Sequence, residues 1–504
     1  MRNLGLTADS GSSIQAADID TISTMRVLVA IASYGERNDE YLRRLIAEYR
    51  SMSFPVHIIV LSDRQKDVGP EIELVVGLPT SDPCSLPFAH RNLFAKRLND
   101  YDVFIYSEDD TLITEKNIES FVQLSDVMPD DELPGFLRFE HDDSGNIGYP
   151  EFHGHYHWDT ASVRKRGEYT LACFTNLHSA CYALTREQLK RAIESGGFLV
   201  KPHQEKYDLC CSAATDPYTQ CGFQKLMCIS HLGNFLVHHL SNKYVGTLGI
   251  GQAECLRQVE TLLQIGNNSH RPIALFETQS KLRNGRYSKS YYESARPEVM
   301  SAIPVGARSV LSIGCGAGVI EKALAKRGMR VVAVPLDTVI AGAAADGGLE
   351  IVEGDFASVR HKLAKERFDC VLLPNILHLI KNPVGILASF SELLSPNGVV
   401  IALTPNLRRI PTIWHRLCRD PRYRDVGLSE KGYRKSGLTF TSRRTIQSWV
   451  RNAGLRVRSM SNIVPSGSRA AAGAALGLMD AYFATEFLVV AEKSGAIHQT
   501  SKSD

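Results

Sequence analysis

Residues 310–318 read Val-Leu-Ser-Ile-Gly-Cys-Gly-Ala-Gly, an apolar run that passes directly into three alternating glycines. The apolar run predicts a buried strand, and the apolar spacing over Val319–Arg327 predicts a helix after it. Glycines at such a junction let the backbone lie against a cofactor that a side chain would displace. Because a dinucleotide-binding loop needs its third glycine one residue later than Gly318, the spacing disfavours NAD.

The carboxyl-terminal half continues this alternation of strands and helices. The apolar segment Ala470–Val490 contains Asp480 and Glu486, so we interpret it as a packed helix and strand rather than a membrane span. Its strand, Phe487–Val490, is expected to close the edge of a doubly wound α/β sheet. Apolar periodicity predicts the other strands and helices at Arg330–Val334, Leu349–Val352, Phe368–Leu373, Val399–Leu403, Pro383–Leu394 and Ser442–Ala453.

The amino-terminal half contains a second informative stretch, residues 102–110, which read Asp-Val-Phe-Ile-Tyr-Ser-Glu-Asp-Asp. A buried strand at Val103–Tyr106 thus leads into three successive carboxylates. Strands and helices alternate from Met25 onward, which predicts a parallel sheet that binds ligands at the carboxyl ends of its strands. Crowded carboxylates repel each other unless a cation offsets the repulsion, so the triplet indicates a Mg²⁺ or Mn²⁺ site for a diphosphate. A solvated acidic turn is the alternative.

Length and composition indicate two domains. The 504 residues, of which 44% are hydrophobic, are too many for one ordinary core and apolar enough for two. We predict a first domain over residues 25–250, a connector over 251–285 and a second domain over 286–494. Residues 1–24 and 495–504 are expected to be tails, the first of them disordered.

Charge and cysteine content argue against several classes of protein. The formal net charge is +2, and no long basic run marks a nucleic-acid surface, so nucleic acid is not expected as a partner. The 11 cysteines lack the paired spacing of zinc sites and favour a reducing, cytoplasmic location. No stretch is apolar and long enough to span a bilayer, so any membrane contact is expected to be peripheral.

The first predicted domain resembles the GT-A glycosyltransferases in its order of elements and in its acidic triplet. In that family the last carboxylate of the triplet ligates the metal, which implies Asp110, and an earlier one contacts the nucleotide. The loop after the first strand, from Ser33 to Arg37, matches the place where the family holds the nucleobase, and Asn176–Thr185 matches a segment near the acceptor. The implied contacts to a nucleotide-sugar donor and a glycan or glycolipid acceptor are Ser33, Tyr34, Arg37, Glu108, Asp109 and His178.

The resemblance also implies a late metal-binding histidine, which matches either His238 or His239. Adjacent residues of a strand face opposite sides, so at most one of these two points into the site. Imidazole is a plausible ligand of Mn²⁺, although a hydrogen-bonded structural histidine is the alternative. The loop around Trp158 carries three further histidines, and we interpret it as facing a sugar rather than a metal. The expected metal ligands are Asp110, Glu108, His238 and His239.

An inverting glycosyl transfer needs a carboxylate that accepts the proton of the acceptor hydroxyl while the metal stabilises the departing diphosphate. Asp216 and Glu205 are the candidates for this base. We assign Asp216, although an Asp-Pro pair is equally typical of a turn.

The second predicted domain resembles the class I S-adenosylmethionine-dependent methyltransferases from Tyr291 to about Ser461. The resemblance is carried by short motifs in the family's order, including the glycine loop, the adenine-contacting Glu353-Gly354-Asp355-Phe356 and the late pair Phe440-Thr441. It implies S-adenosylmethionine as a cofactor. The implied binding residues are Ser312, Gly314, Gly316, Gly318, Asp337, Asp355 and Phe356.

Two positions depart from that family pattern. Ser312 stands where the family has an acid before the glycine loop, and Pro335 stands where an acid binds the ribose hydroxyls. Asp337 lies two residues beyond, but an unreplaced contact to ribose would weaken cofactor binding by about 1.5–3 kcal/mol. A degenerate, non-catalytic domain is therefore an alternative. For an active domain, His378 is the candidate base, because the ordinary histidine pKa is near neutral, and a structural histidine is the alternative.

Together the two resemblances imply a bifunctional transferase of polysaccharide biosynthesis. The first domain would transfer a sugar from a nucleotide-sugar to a glycan, and the second would methylate a hydroxyl of that glycan. Fusion would raise the local concentration of one product near the next site. The alternatives make the second domain a binding or scaffolding module, or the first domain a binding module without transfer activity.

Overall fold

The structure is a computed structural model that describes residues 24–418, 420–464 and 480–494. The tails expected at residues 1–24 and 495–504, apart from residue 24, lie outside these ranges, as does the helix predicted from Ala470, up to residue 479. The chain divides into two compact units, the first ending at Arg271 and the second beginning at Pro272. This division falls inside the predicted connector.

The first unit is built around a five-stranded sheet with the order β11-β4-β1-β2-β3. Strand β1 pairs in parallel with β2 and β4, β3 is parallel to β2, and β11 is antiparallel to β4. Two further sheets have the orders β6-β12-β10-β9 and β14-β8-β7-β13-β5. The strands are β1 (Val27–Ser33), β2 (Val56–Ser62), β3 (Glu73–Val76), β4 (Val103–Glu108), β5 (Thr111–Leu112), β6 (Glu132–Pro134), β7 (Leu137–His141), β8 (Ile147–Tyr149), β9 (Trp158–Arg166), β10 (Tyr169–Phe174), β11 (Cys181–Thr185), β12 (Gln224–Cys228), β13 (Leu236–His239) and β14 (Ile250–Gly251).

Helices cover this sheet through apolar faces that the sequence spacing predicts. In the first helix Leu42, Leu45, Ile46 and Tyr49 are buried, at intervals of three and four residues. The last helix lies in the segment predicted as a connector, and it packs within the first unit, where Gln258 accepts a hydrogen bond from Trp158. The helices are α1 (Asp39–Arg50), α2 (His90–Lys96), α3 (Glu115–Ser125), α4 (Arg186–Glu194), α5 (Leu209–Thr219) and α6 (Gln252–Gly266), with 3₁₀ turns at Pro83–Ala89 and Leu232–Phe235.

The second unit contains a seven-stranded sheet with the order β17-β16-β15-β18-β19-β21-β20. The first five of these strands are mutually parallel, and β21 is antiparallel to both of its neighbours. The prediction that the final strand closes the sheet edge is wrong, because β20 pairs outside β21 and forms that edge. The strands are β15 (Ser309–Cys315), β16 (Arg330–Pro335), β17 (Glu350–Ile351), β18 (Phe368–Pro374), β19 (Leu394–Pro405), β20 (Leu455–Ile463) and β21 (Glu486–Lys493).

Both faces of this sheet are buried. Leu311 and Ile313 of β15 belong to one apolar cluster, whereas Val310 and Cys315 belong to a second cluster on the opposite face. A central strand buried on both faces explains the continuous apolar run before the glycines. The helices are α7 (Pro297–Ala302), α8 (Val319–Ala325), α9 (Thr338–Ala345), α10 (Phe356–Lys362), α11 (Pro383–Ser391), α12 (Ile410–Cys418), α13 (Glu430–Ser436), α14 (Arg443–Asn452) and α15 (Asp480–Phe483), with 3₁₀ turns at Arg283–Gly285, Leu377–Leu379 and Pro421–Asp425.

Two findings bear on the environment of the chain. Within the described ranges no helix combines the length and the apolar character that crossing a membrane requires. All 11 cysteines are in the thiol form, and six of them are buried.

Candidate functional site

The acidic triplet lies at the carboxyl end of β4, which stands between β1 and the antiparallel strand β11 in the first unit's five-stranded sheet. Asp109 accepts hydrogen bonds from the Ser33 hydroxyl at 2.7 Å and from the Asn38 amide at 2.8 Å. Burial raises the pKa of the Asp109 carboxyl, although these two hydrogen bonds oppose the rise. Asp109 thus meets Ser33, the last residue of β1, at the carboxyl edge that the two neighbouring parallel strands share.

Asp110 faces the late histidine predicted as a ligand. Its carboxylate is 3.1 Å from Nε2 of His239, whose Nδ1 is 2.5 Å from the Glu140 carboxylate. Burial acts to raise the pKa of Asp110, but the His239 hydrogen bond and charge lower it overall. Burial acts to lower the pKa of His239, and Asp110 and Glu140 together raise it. The two carboxylates thus hold the ring between them and favour its protonated form.

His238 points away from this cluster, and its assignment as a metal ligand is wrong. Its ring stacks on Phe139 with 4.9 Å between ring centroids, and its Nε2 lies 3.0 Å from the Asn242 side-chain oxygen. The alternation of side chains along β13 separates it from His239.

Glu108 completes the acidic group, and burial followed by the charge of Asp110 raises its pKa to about 7. In the part of the chain that the structure describes, no three side chains of His, Cys, Asp or Glu are arranged to hold a metal ion. Of the predicted ligands, Asp110 and His239 contact each other and Glu108 is their acidic neighbour, and their binding of a metal stays a prediction.

Sequence reasoning missed a basic and polar group beside the triplet. The Arg138 guanidinium is 2.5 Å from the Glu151 carboxylate and 3.3 Å from Nδ1 of His178. Nε2 of His178 is 3.1 Å from the Cys211 sulfur, at the start of α5. Burial, followed by the charge of Arg138, holds the pKa of His178 well below its usual range. His178 is therefore a neutral ring held by partners that are distant in sequence, and its contact with a substrate stays a prediction.

The other predicted substrate contacts lie on the loop after β1. Tyr34 and Arg37 are exposed there. Trp158 does not face a sugar, because its ring is buried and its Nε1 donates to Gln258 at 3.1 Å. The prediction of a sugar-stacking loop around Trp158 is therefore wrong.

Asp216 occupies a different environment from the one expected of a base. Its carboxylate is buried in α5, 2.6 Å from the Arg91 guanidinium and 2.8 Å from Nε2 of His203. A carboxylate committed to a buried arginine is poorly placed to accept a proton from an acceptor hydroxyl. The geometry therefore contradicts the assignment of Asp216 as the base.

In the second unit, the glycine loop is shaped by contacts within the protein. A Cβ added to Gly316 would lie 2.2 Å from the Tyr291 carbonyl oxygen, which accepts a hydrogen bond from the Ala317 amide at 2.8 Å. Gly318 has a φ of +76° and packs against the backbone of Ala344 in α9. Internal packing thus accounts for these two glycines before any cofactor is considered.

Ser312 in β15 stands where the resembled family has an acid, and a carboxylate from α8 contacts it. Ser312 is fully buried, and its hydroxyl donates to the Glu321 carboxylate at 2.6 Å. Glu321 is buried as well. Lys289, whose side chain is completely buried, forms an ion pair with Glu293 at 2.6 Å. The glycine-loop motif pointed to Ser312, whereas no local signal pointed to the carboxylate that it contacts.

The end of β16 carries no acidic side chain, because Pro335 is its last residue. Asp337 is buried, and its carboxylate caps α9 by accepting from the Ile340 amide at 2.9 Å. Glu353 reaches the same corner of the sheet, where it accepts from the Thr338 hydroxyl at 3.0 Å. Two carboxylates therefore stand near the position that Pro335 leaves without one.

The predicted adenine contacts begin α10. Asp355 is exposed and caps this helix by accepting from the Ser358 amide at 2.8 Å, a hydrogen bond that lowers its pKa. The Phe356 ring stacks on Phe276, with 5.5 Å between ring centroids. These side chains form a partly apolar wall at the carboxyl edge of the sheet.

His378 does not have the near-neutral pKa that its assignment as a base assumed. Its ring is buried, its Nε2 is 2.7 Å from the Tyr287 carbonyl oxygen, and burial lowers its pKa to about 4. The ring is therefore neutral at physiological pH, and Nε2 donates its proton to the backbone. These contacts favour the structural interpretation of His378 over the catalytic one.

Comparisons with known proteins concern the second unit. A family model described as a methyltransferase domain matches residues 274–460. The ubiquinone biosynthesis O-methyltransferase of Xanthomonas axonopodis pv. citri (strain 306) is 30% identical over 178 residues, which are 34% of this chain and 70% of that protein. The enzyme of the same name from Histophilus somni (strain 2336) is 31% identical over 108 residues, which are 20% of this chain and 45% of that protein.

A solved S-adenosylmethionine-dependent methyltransferase from Archaeoglobus fulgidus aligns with 37% of this chain and 87% of its own, at 15% identity and a TM-score of 0.29. A score of that size does not by itself establish a relationship.

The chain belongs to the methyltransferase family through its second unit. This unit is a Rossmann-like, S-adenosylmethionine-dependent methyltransferase domain, as the motifs predict. The matched region spans from about half to 70% of the relatives named above, so their acceptor is not transferred to this chain. The family model does not extend into the first unit.

Proposed function

We propose that the second unit transfers a methyl group from S-adenosylmethionine to a hydroxyl oxygen. The observation that carries this proposal is the glycine loop at the carboxyl end of β15, within a domain matched by the methyltransferase family model. The relatives named above are O-methyltransferases, which favours an oxygen acceptor. Such a transfer depends chiefly on proximity and in-line alignment, so the loss of His378 as a base does not oppose it.

The residues that the resemblance implies fit the methionine and adenine parts of the cofactor, whereas the ribose needs a different residue from the one expected. The backbone of the loop from Gly314 to Gly318 would hold the methionine end, and Phe356 would contact the adenine with Asp355 beside it. For the ribose hydroxyls, Pro335 offers no acceptor, and we assign that role to Glu353, with Asp337 as its neighbour. The cofactor supplies the electrophilic methyl group, and these residues bind and orient it.

Calorimetry with S-adenosylmethionine on the full-length protein tests this assignment. We expect micromolar binding in the wild type and a loss of about tenfold or more in Glu353→Gln, because one charge-assisted hydrogen bond contributes about 1.5–3 kcal/mol. Asp346→Asn, an exposed acid at the end of α9, serves as the matched control and should bind like the wild type. Absence of binding in folded wild-type protein would contradict the proposal.

A scaffolding role for the second unit is favoured by one specific observation. The residues expected to contact a cofactor already have partners within the protein. A Cβ at Gly316 would collide with Tyr291, and one at Gly318 would press against Ala344. Asp337 accepts a hydrogen bond from the Ile340 amide. A domain that kept its packing and lost its cofactor would retain these contacts. The calorimetric experiment separates the two functions, because only the catalytic one predicts binding.

For the first unit we propose metal-dependent transfer of a sugar from a nucleotide-sugar, as in the GT-A glycosyltransferases. Support comes from the carboxylates at the end of β4, where Asp109 is held by Ser33 and Asn38 and Asp110 faces His239. Mg²⁺ or Mn²⁺ bound by Asp110 would neutralise a diphosphate, and His239 can join as a ligand only after its ring loses a proton when the ion binds. Arg138 lies beside them as a further positive charge. The order of parallel strands places these groups where α/β sheets bind ligands.

Binding of a nucleoside diphosphate in the presence and absence of Mn²⁺ tests this second proposal. We expect binding that requires Mn²⁺ and weakens at least about tenfold in Asp110→Asn, because one carboxylate is removed from a site with few ligands. Asp143→Asn, an exposed aspartate in the loop after β7, is the control. Equal binding without metal, or in both variants, would indicate that the triplet is not a metal site.

The two activities together would modify one glycan. A sugar transferred by the first unit presents new hydroxyls, and an O-methyltransferase on the same chain would meet them at a high local concentration. We therefore propose polysaccharide biosynthesis as the setting, with a glycan or glycolipid as the shared acceptor.

A further inference from the structure

A cavity of about 460 Å³ lies in the first unit, against the sheet with the order β14-β8-β7-β13-β5. This volume falls within the range of about 300–1,000 Å³ that is typical of pockets for small organic ligands. His238 lines the cavity, whereas its neighbour His239 contacts Asp110. The cavity and the acidic triplet therefore lie on opposite sides of β13. The apolar residues of the cavity wall are Leu112, Phe139, Ile147 and Leu236.

Aromatic rings form one part of this wall. The ring of His238 stacks on Phe139, and its centroid is 4.6 Å from that of His141. Asn242 holds both histidines, because its side-chain oxygen accepts from the His141 backbone amide and from Nε2 of His238, each at 3.0 Å. Asn242 has a φ of +47°, a left-handed conformation that is uncommon outside glycine. The rings are thus held in place within the protein and offer a preformed surface for a flat aromatic group.

Arg44 of α1 brings a positive charge to the cavity. Within the part of the chain that the structure describes, its side chain has no ion pair and no hydrogen bond. The charge of Arg44 acts on the ring of His238, which places the guanidinium near the aromatic wall. None of the described residues that line the cavity is acidic. An arginine without an acidic partner attracts an anion and repels a cation.

We infer that this cavity binds a small aromatic carboxylate. The ring of the ligand packs on Phe139 and His238, and its carboxylate pairs with the planar guanidinium of Arg44. A single arginine matches a singly charged group. A free sugar suits the cavity less well, because the apolar wall would leave its hydroxyls without hydrogen-bond partners.

Calorimetry on the full-length protein with a matched pair of probes tests the chemistry. 2-Naphthoate should bind with a dissociation constant below about 1 mM, and benzoate serves as a smaller probe of the same class. 2-Naphthamide has the same shape without the charge and should bind at least about fivefold more weakly. The comparison separates recognition of the carboxylate from simple burial of the ring.

Three variants locate the site. Arg44→Gln should weaken 2-naphthoate at least about fivefold and leave 2-naphthamide unchanged, because it removes the charge alone. Arg43→Gln changes the adjacent exposed arginine of the same helix, which does not line the cavity, and should bind like the wild type. Ile147→Trp places a larger side chain in the cavity and should weaken both probes at least about tenfold. Thermal unfolding followed by circular dichroism shows that each variant is folded.

Three results would overturn the inference. They are no binding of 2-naphthoate or benzoate to the folded wild type, equal affinities for 2-naphthoate and 2-naphthamide, and equal weakening of 2-naphthoate in Arg44→Gln and Arg43→Gln. The last result would indicate a general effect of charge on α1 rather than a site. The inference does not rest on the proposed transferase activities, so its failure would leave them standing.

Discussion

Replacing Arg91 with alanine should lower the free energy of unfolding of the first unit by about 3–5 kcal/mol. The Arg91 side chain is buried, donates to Asp216 at 2.6 Å and to the Ala213 carbonyl at 3.1 Å, and lies 4.3 Å above the Phe88 ring. Its removal leaves the Asp216 carboxylate buried without its arginine partner, beside the ring of His203. A buried charge without its partner is among the costliest defects that one substitution creates.

Thermal unfolding followed by circular dichroism measures this effect, and we expect the transition of the first unit to fall by roughly 10 °C or more. Arg50→Ala is the matched control, because the pair of Arg50 with Glu71 is exposed and contributes less than about 1 kcal/mol. An Arg91→Ala protein as stable as the wild type but lacking sugar transfer would restore Asp216 as a candidate base.

Gly316→Ala should destabilise the second unit by about 1–3 kcal/mol or more and weaken S-adenosylmethionine binding at least about tenfold. The added Cβ would lie 2.2 Å from the Tyr291 carbonyl oxygen and 2.8 Å from the carbonyl carbon. Because the obstacle is backbone, a change of side-chain rotamer cannot relieve the collision. Either the glycine loop or the segment that carries Tyr291 must move, and the loop is the proposed cofactor contact.

Denaturant unfolding and calorimetry on the same sample separate the two parts of this prediction. Gly306→Ala is the control, since its Cβ would meet nothing within 4 Å and only the left-handed φ of +89° would be strained. If Gly316→Ala unfolds like the wild type and loses only cofactor affinity, the glycine serves the cofactor rather than the contact with Tyr291.

Features that depend on local sequence were predictable. The strands before the acidic triplet and before the glycine loop are continuous apolar runs, which central parallel strands require because both of their faces are buried. The burial of Leu42, Leu45 and Tyr49 follows from helical spacing alone. Asp109 meets Ser33 because neighbouring parallel strands end at the same edge, and this much of the site follows from topology.

Features that depend on long-range partners were not predictable. Asp216 is paired with a residue 125 positions away, and nothing near it in sequence identifies Arg91 as its partner. The alternation along β13 shows that His238 and His239 face opposite sides, yet packing alone decides which of them meets Asp110. Trp158 carries an aromatic ring suited to a sugar, but it contacts helix α6, and the sequence does not reveal that packing. The pKa of His378 likewise follows from burial that the sequence does not reveal.

The contact between Ser312 and Glu321 has a consequence for comparing this chain with its relatives. An alignment that compares one column at a time records a lost acid at residue 312 and would class the domain as inactive on that ground. In this chain the carboxylate of Glu321 in α8, nine residues later, lies one hydrogen bond away from that position. A survey that pairs the residue at the strand position with the residue nine places later would recognise such carboxylates, which single-column conservation counts as losses.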